Sequence, residues 1–339
     1  LVELHNFQKD NFQEHVICSF FFIYFSFLCI INIGDKMKNK VVIIGCGNVG
    51  MSYAYALLNQ KTRVNELALI DLDEKRIEGE VMDLNHCLPF APTPMTIKKG
   101  SYEDCSDATI VMIAAGANQN PGETRMDLIN KNSKIFKEIV TKVMENGFNG
   151  IFLIATNPLD VMTYVTWKYS GLPHHKIIGS GTILDTARLR YMISEKLNIS
   201  TRNIHAYVIG EHGDSEFVPW SSAQVGTQDI KDFISEEELN QISEKVRNAA
   251  YEIINRKGAT YYGIGMCLVR ITNAILSDEN SIITVSSYDK TNDIFVGGAT
   301  IINKNGCKER MYIKLNEEET KKLEKSISII KDAINSIEE

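Results

Sequence analysis

The sequence predicts an α/β protein: a doubly wound parallel sheet, followed by a C-terminal half of mixed α/β (α+β) type. Three observations carry that reading. Short apolar runs near 40–45, 66–70, 95–98, 109–114, 151–155 and 176–179 alternate with helical patterns near 49–59, 73–84, 126–146 and 158–169. Such alternation packs strands in parallel with helices on both faces. The first apolar run enters Gly45-Cys46-Gly47-Asn48-Val49-Gly50 and passes straight into a helix. After about 180 the pattern changes: long helices near 183–196, 236–256 and 260–276 surround strand-like stretches at 282–286 and 292–298, and a last helix spans about 316–337. The expected division is therefore 37–180 and 181–339.

In the first half, Gly45, Gly47 and Gly50 permit a tight turn and a close backbone approach to a pyrophosphate at the positive end of the following helix. The next run, Glu66 to Ile70, ends in Asp71, 21 residues after Gly50. That spacing suits an acid that hydrogen-bonds the adenosine ribose and repels a 2′-phosphate, so NAD is favoured over NADP. Strand, glycines, helix, second strand and acid together predict a Rossmann-type dinucleotide site. The segment Ala114 to Arg125 follows a strand, is bracketed by Gly116 and Gly122, and precedes a long helix. It reads as a lid that closes and delivers Arg125, the plainer alternative being a surface loop with a solvated Arg. Asn157 lies just beyond another buried run, at the carboxyl end where open α/β sheets place ligands.

The second half holds Asp185-Thr186-Ala187-Arg188 and, later, His212 within Gly-Glu-His-Gly-Asp. An Asp and an Arg three apart on a helix share a face. The guanidinium can grip a carboxylate through two parallel bonds, and the Asp can orient and charge a nearby histidine as a general acid.

A net charge of −7 with no basic stripe argues against nucleic acid. Seven scattered cysteines without a C-x-x-C suit a reducing cytosol, and no cluster with metal-ligand spacing appears, so no metal is expected. Residues 1–36 stand apart. Val16 to Ile33 is apolar enough for a membrane span or a signal segment, yet the first 36 residues lack Ala, Pro, Arg, Thr and Met and are dominated by Phe, Ile, Asn and Leu, residues frequent in translated AT-rich DNA. Gly34-Asp35-Lys36-Met37 can be written GGA-GAT-AAA-ATG, a ribosome-binding sequence before a start codon. The expectation is an upstream extension, with Met37 as the first residue of the protein and no membrane partner.

The chain resembles the NAD-dependent L-lactate and malate dehydrogenases, and within them the bacterial L-lactate dehydrogenases, over about residues 38–337. The motifs are GCGNVG, ALIDLDEKRIEGEVMDLNH, AAGANQNPGETRMDL, IATNPLDVMTY, IGSGTILDTARLR, HAYVIGEHGD and KGATYYGIG. The resemblance implies a Rossmann domain, a substrate domain, and interconversion of pyruvate and L-lactate at the end of fermentative glycolysis. By motif position, His212 would be the proton donor, Asp185 its orienting acid, Arg188 the carboxylate clamp and Arg125 the residue polarising the ketone. Asn157 would touch the reacting oxygen and Thr260 line the side-chain pocket. Val49, Asp71, Arg76, Tyr102, Gly116, Ala117, Ser133, Thr156 and Ser180 fall where relatives contact NAD. The malate branch carries an arginine where Gln119 stands, and a neutral amide there leaves no cation for a second substrate carboxylate. Arg190 and His205 match positions that bind fructose 1,6-bisphosphate across a subunit interface, implying an allosteric homotetramer. A non-catalytic nucleotide-binding or membrane-tethered protein remains the rival class. It would need one of Arg125, Asp185, Arg188 or His212 to be missing, or the hydrophobic leader to be real; all four residues are present.

Overall fold

A computed structural model of the chain describes residues 39–117 and 125–337, Arg125 through its backbone alone. The leader expected over 1–36 and the part of the lid carrying Gln119 lie outside the described residues.

Aliphatic and β-branched runs form six parallel strands: β1 (Lys40–Ile44), β2 (Glu66–Ile70), β3 (Thr96–Lys99), β4 (Ile110–Ile113), β5 (Ile151–Ile154) and β6 (Ile177–Gly179). Their order is β3-β2-β1-β4-β5-β6, so the strand sequence reverses between β1 and β4. Helices α1 (Asn48–Asn59) and α2 (Glu74–Cys87) follow β1 and β2, and α3 (Arg125–Glu145) and α4 (Leu159–Ser170) follow β4 and β5. The central strands β1, β4, β5 and β6 are buried throughout and read as apolar runs because both faces are covered. Val41, Ile43, Leu67, Leu69, Met112 and Leu153 join a core with α1 and α2. Their neighbours Val42, Ile44, Val111, Ile113, Phe152 and Ile154 point the other way, into a core with α3 and α4.

The second half begins with α5 (Ile183–Leu197) and a small antiparallel sheet of β7 (Ile204–His205), β8 (Gln224–Val225) and β9 (Gln228–Asp229). Helices α6 (Glu236–Lys257) and α7 (Tyr262–Leu276) follow; α7 returns to the first half, where Tyr53 of α1 bonds Thr272 at 2.6 Å. Strands β10 (Ser281–Asp289), β11 (Ile294–Asn303) and β12 (Gly306–Arg310) then extend the large sheet antiparallel, β10 meeting β6 at Ser286 opposite Gly179. The last helix, α8 (Glu317–Asn335), packs Ala333 into the core of α3 and α4. No helix among the described residues is long and apolar enough to cross a membrane.

Two local readings of the sequence are corrected and one strand is added. By its sequence the stretch from His205 to Gly210 reads as a strand, but the strand stops at His205. Beyond it side chains claim the backbone: Val208 N–H donates to Thr186 Oγ1 at 2.9 Å, Thr182 Oγ1 donates to the Val208 carbonyl at 2.6 Å, and Gly210 turns at φ +97°. The helix expected from 260 starts at Tyr262, because Gly258 ends α6 at φ +85° and leaves Thr260 in the link. Strand β12 escapes a hydropathy reading because it is polar; its Arg310 turns inward and donates to the Val296 carbonyl at 2.8 Å.

Candidate active site

The reversal of strand order between β1 and β4 opens a crevice at their carboxyl ends. Two of the three glycines there are required by the protein's own backbone. A Cβ on Gly45 (φ +93°) would lie 2.3 Å from Ala115 N, and one on Gly50 would lie 2.1 Å from the Gly45 carbonyl. Gly47 differs: a Cβ there would meet no protein atom within 4 Å, and no side chain caps the α1 N-terminus that Gly47 opens. Uncapped N–H groups beneath open space are what a pyrophosphate needs. Asp71 ends β2 beside this turn, its Oδ2 accepting from Cys46 N at 2.7 Å and its Oδ1 from Asp73 N at 3.1 Å. Each oxygen retains acceptor capacity for a ribose hydroxyl. Val49 lies half-buried in the first turn of α1, exposed Arg76 in that of α2, and half-buried Tyr102 opens the turn after β3. Cys46 is buried, and burial pushes its thiol up to about 12, so it is inert filler.

Across the crevice, Ala117 N donates to Asn132 Oδ1 at 2.8 Å while Asn132 Nδ2 donates to the Asn157 carbonyl at 2.9 Å. This buried amide on α3, not anticipated from sequence, ties the start of the loop after β4 to the loop after β5. Gly116 allows Thr156 to approach, and Thr156 Oγ1 donates to the Ala115 carbonyl at 2.8 Å. Ser180 is buried, its N–H on the Ile154 carbonyl at 2.8 Å. Ser133 Oγ is buried without a protein partner, an orphan that a ligand would satisfy. The orphan hydroxyl, the open space over Gly47 and the acid at Asp71 together fit a dinucleotide.

The chemical groups gather where α4, α5 and β10 meet. Asp160, in the first turn of α4, is buried; its Oδ2 accepts from the His212 backbone N–H at 2.8 Å and its Oδ1 from Ser286 Oγ at 2.5 Å. Burial holds its carboxyl up, to about 6, against those two bonds. It thereby fixes the backbone of His212 to the sheet. The imidazole Nδ1 lies 2.9 Å from Asp185 Oδ2, and Arg188 Nη1 donates to Asp185 Oδ1 at 2.8 Å. With Nδ1–H committed to Asp185, Nε2 is the nitrogen that exchanges a proton. The imidazole is 27 % exposed. Burial favours its neutral form, but the charge and hydrogen bond of Asp185, then Glu216 and Asp160, outweigh that and raise it to about 9. Asp185 is buried too, which alone would raise its pKa; the His212 charge and bond, then Arg188, bring it below the usual carboxylate range. Glu216 Oε2 stands 4.0 Å from His212 Nδ1. Neither Asp160 nor Glu216 was anticipated. The polar atoms of Asp185, His212 and Glu216 lie within 4.8 Å of one another, a clustering that the sequence spacing did not disclose.

Asn157 presents an exposed amide one residue past buried Thr156. Thr260 is half-buried in the link before α7, where Gly263 packs on Leu184, the neighbour of Asp185. Arg125 opens α3, but its side chain, like all of Gln119, lies outside the described residues. Arg190 points away from this cluster: its Nε donates to the Ala206 carbonyl at 3.0 Å and its guanidinium covers the Tyr207 ring at 4.9 Å. That places it against the chain next to exposed His205.

Comparison with known proteins agrees with this geometry. Residues 39–179 match the model of the lactate/malate dehydrogenase NAD binding domain, and 182–339 that of the lactate/malate dehydrogenase alpha/beta C-terminal domain. L-lactate dehydrogenase 1 of Bacillus cereus is 52 % identical over 309 residues, 88 % of this chain and 98 % of that relative. L-lactate dehydrogenase 2 of Bacillus anthracis is 51 % identical over the same shares. Among solved structures, a lactate dehydrogenase from a Medee basin deep-sea metagenome superposes with TM-score 0.86 at 52 % identity, covering 88 % of this chain and 98 % of that one. The minor L-lactate dehydrogenase of Enterococcus mundtii, in a ligand-bound form, gives 0.87 at 43 % identity over 89 % and 99 %. A glycine turn with its acid and an Asp185–His212 pair, matched by both family models along nearly all of the described chain, place this protein in the lactate/malate dehydrogenase family, as an NAD-dependent oxidoreductase whose cofactor is NAD.

Proposed function

We propose that this chain is an L-lactate dehydrogenase that reduces pyruvate to L-lactate with NADH in the cytoplasm, at the end of fermentative glycolysis. The observation that carries the reading is the shared carboxylate of Asp185, which holds His212 through one oxygen and Arg188 through the other. Residues 37–180 would bind the cofactor and 181–339 would supply the acid and the clamp.

When bound, NADH supplies the hydride to the ketone carbon. His212, kept protonated at neutral pH by Asp185, gives a proton from Nε2 to the oxygen. Among the described residues Arg188 donates to Asp185 through Nη1 alone, and its other edge receives the substrate carboxylate as a planar fork. Asn157, with Arg125 from the head of α3, stabilises charge on the reacting oxygen. Gln119, in place of a cation, favours a methyl-bearing monoacid over oxaloacetate, and Thr260 completes that pocket. Substitution of a dicarboxylate would bury an unpaired charge.

Loss of NADH absorbance with pyruvate, against oxaloacetate at equal concentration, tests the substrate. The pH profile tests the acid. Reduction uses charged His212, so kcat/KM for pyruvate holds through neutral pH and falls as pH rises through about 9. Lactate oxidation uses the neutral ring and rises across the same interval. A reduction profile falling near the ordinary histidine range would contradict the Asp185 pairing, and faster oxaloacetate turnover would favour the malate branch.

Arg190 beside exposed His205 supports the regulatory part of the reading, a homotetramer activated by fructose 1,6-bisphosphate. Phosphates bound between Arg190 and His205 would favour the active quaternary state. Pyruvate titrations with the bisphosphate should show a lower KM, an effect that Arg190→Gln removes. Superimposable curves for the parent protein would end the allosteric reading.

A further inference from the structure

We infer that Glu216 is a positioning residue that joins the Asp185–His212 pair as a neutral acid, donating its carboxyl hydrogen to Asp185. The inference rests on the pyruvate-reducing role proposed above and deepens it. An ionised carboxylate only accepts hydrogen bonds, so two carboxyl groups that share one must hold a proton between them. The carboxyl groups of Glu216 and Asp185 are both buried and come within 4.8 Å of each other, and the bond inferred here lies between them. The 4.0 Å separation of Glu216 Oε2 from His212 Nδ1 is too long for another. The neighbours decide which acid keeps the proton. Asp185 faces His212 Nδ1 at 2.9 Å and Arg188 Nη1 at 2.8 Å, one on each oxygen. Glu216, only 6 % exposed, has no cationic donor at that range among the described residues. Asp185 is therefore the anion and Glu216 the acid. Burial first, then the charge of Asp185, push the Glu216 carboxyl up to about 9. Although three such groups could by spacing surround a divalent cation, Nδ1 and both Asp185 oxygens already have protein partners.

The wider surroundings leave that balance undisturbed. From α5, Asp185 and Arg188 face Glu216, and from its own loop, His212. On its far side Glu216 lines a cavity of about 720 Å³. There α6 contributes Glu237, Glu244, Lys245 and Arg247, and α8 contributes Lys322. Arg247 is paired with Glu244 at 2.6 Å, so the signs nearly cancel. The neutral acid gives Asp185 a third bond without adding a second buried anion beside the place where Arg188 meets a carboxylate. Ionised, Glu216 would compete with substrate for Arg188 and repel it.

Infrared difference spectra of the full chain against Glu216→Gln at neutral pH should show a protonated-carboxyl C=O band present in the parent and missing in the variant. The band should fade as pH rises through about 9. In turnover, Glu216→Leu should lower kcat/KM for pyruvate by about tenfold, the scale of one lost hydrogen bond to a charged acceptor, with NADH binding by fluorescence retained. Glu216→Gln, whose amide donates the same bond, should recover most of that loss at neutral pH and should show a shallower alkaline limb, losing one proton there instead of two. Absence of the band at neutral pH, or a Gln variant no better than Leu, would overturn the inference. A band without pyruvate turnover upholds the proton on Glu216 and overturns the substrate instead.

Discussion

Replacing His212 with Asn is expected to cut kcat for pyruvate reduction by roughly 10²- to 10⁴-fold, the usual contribution of a positioned general acid. NADH affinity should stay near that of the parent. Asn is the informative choice because its side-chain amide can donate to Asp185 from about where Nδ1 now donates at 2.9 Å. The buried carboxylate then keeps a partner while the acid at Nε2 disappears. The backbone should not follow the change, since Asp160 holds the residue-212 N–H at 2.8 Å whatever the side chain. Single-turnover NADH oxidation measures the chemical step, and fluorescence titration measures cofactor binding. Turnover close to the parent's would remove His212 from the chemistry.

Arg188→Lys is expected to be the next most damaging substitution, with the opposite signature. The charge survives, but the fork that donates to Asp185 while keeping a planar edge free does not. Loss of one charge-assisted bond costs about 1.5–3 kcal/mol, so kcat/KM for pyruvate should fall by roughly ten- to 150-fold, most of it in KM. Normal KM with reduced kcat would mean that Arg188 acts only through Asp185 and never meets the substrate.

Much of this arrangement was legible beforehand because it is local. The strand, glycine turn and helix at 40–59 are contiguous, and Asp71 follows at a spacing set by one βαβ unit. Asp185 and Arg188 share a helical face by period alone. Asp160, Asn132 and Glu216 were not legible, because each acts through a partner far along the chain or across an element boundary. Asp160 sits 52 residues from the backbone that it anchors. Glu216 follows His212 by only four residues, yet a carboxylate in a loop reads as solvated until α5 is seen to bury it. Secondary structure failed for a related reason. The two-residue strands β7–β9 have no period to detect, and the stretch after His205 looks like a strand because Thr182 and Thr186, the side chains that occupy its backbone, lie on another element.

The junction of β10 with β6 has a consequence for how the chain can be divided. Ser286 pairs with Gly179, so the strand that closes the nucleotide half is an interior member of a single sheet. A fragment ending near 180 would leave Ile177 and Ile178, both fully buried here, beside an uncovered row of backbone donors and acceptors. Such an edge recruits foreign strands. The two halves can be assigned separate tasks, but they should not be separable as folding units. A nascent chain that has emerged only through β6 would carry that sticky border until roughly a hundred further residues deliver β10, counting from Gly179 to Ser286. This makes synthesis of the second half the interval in which aggregation is most to be expected.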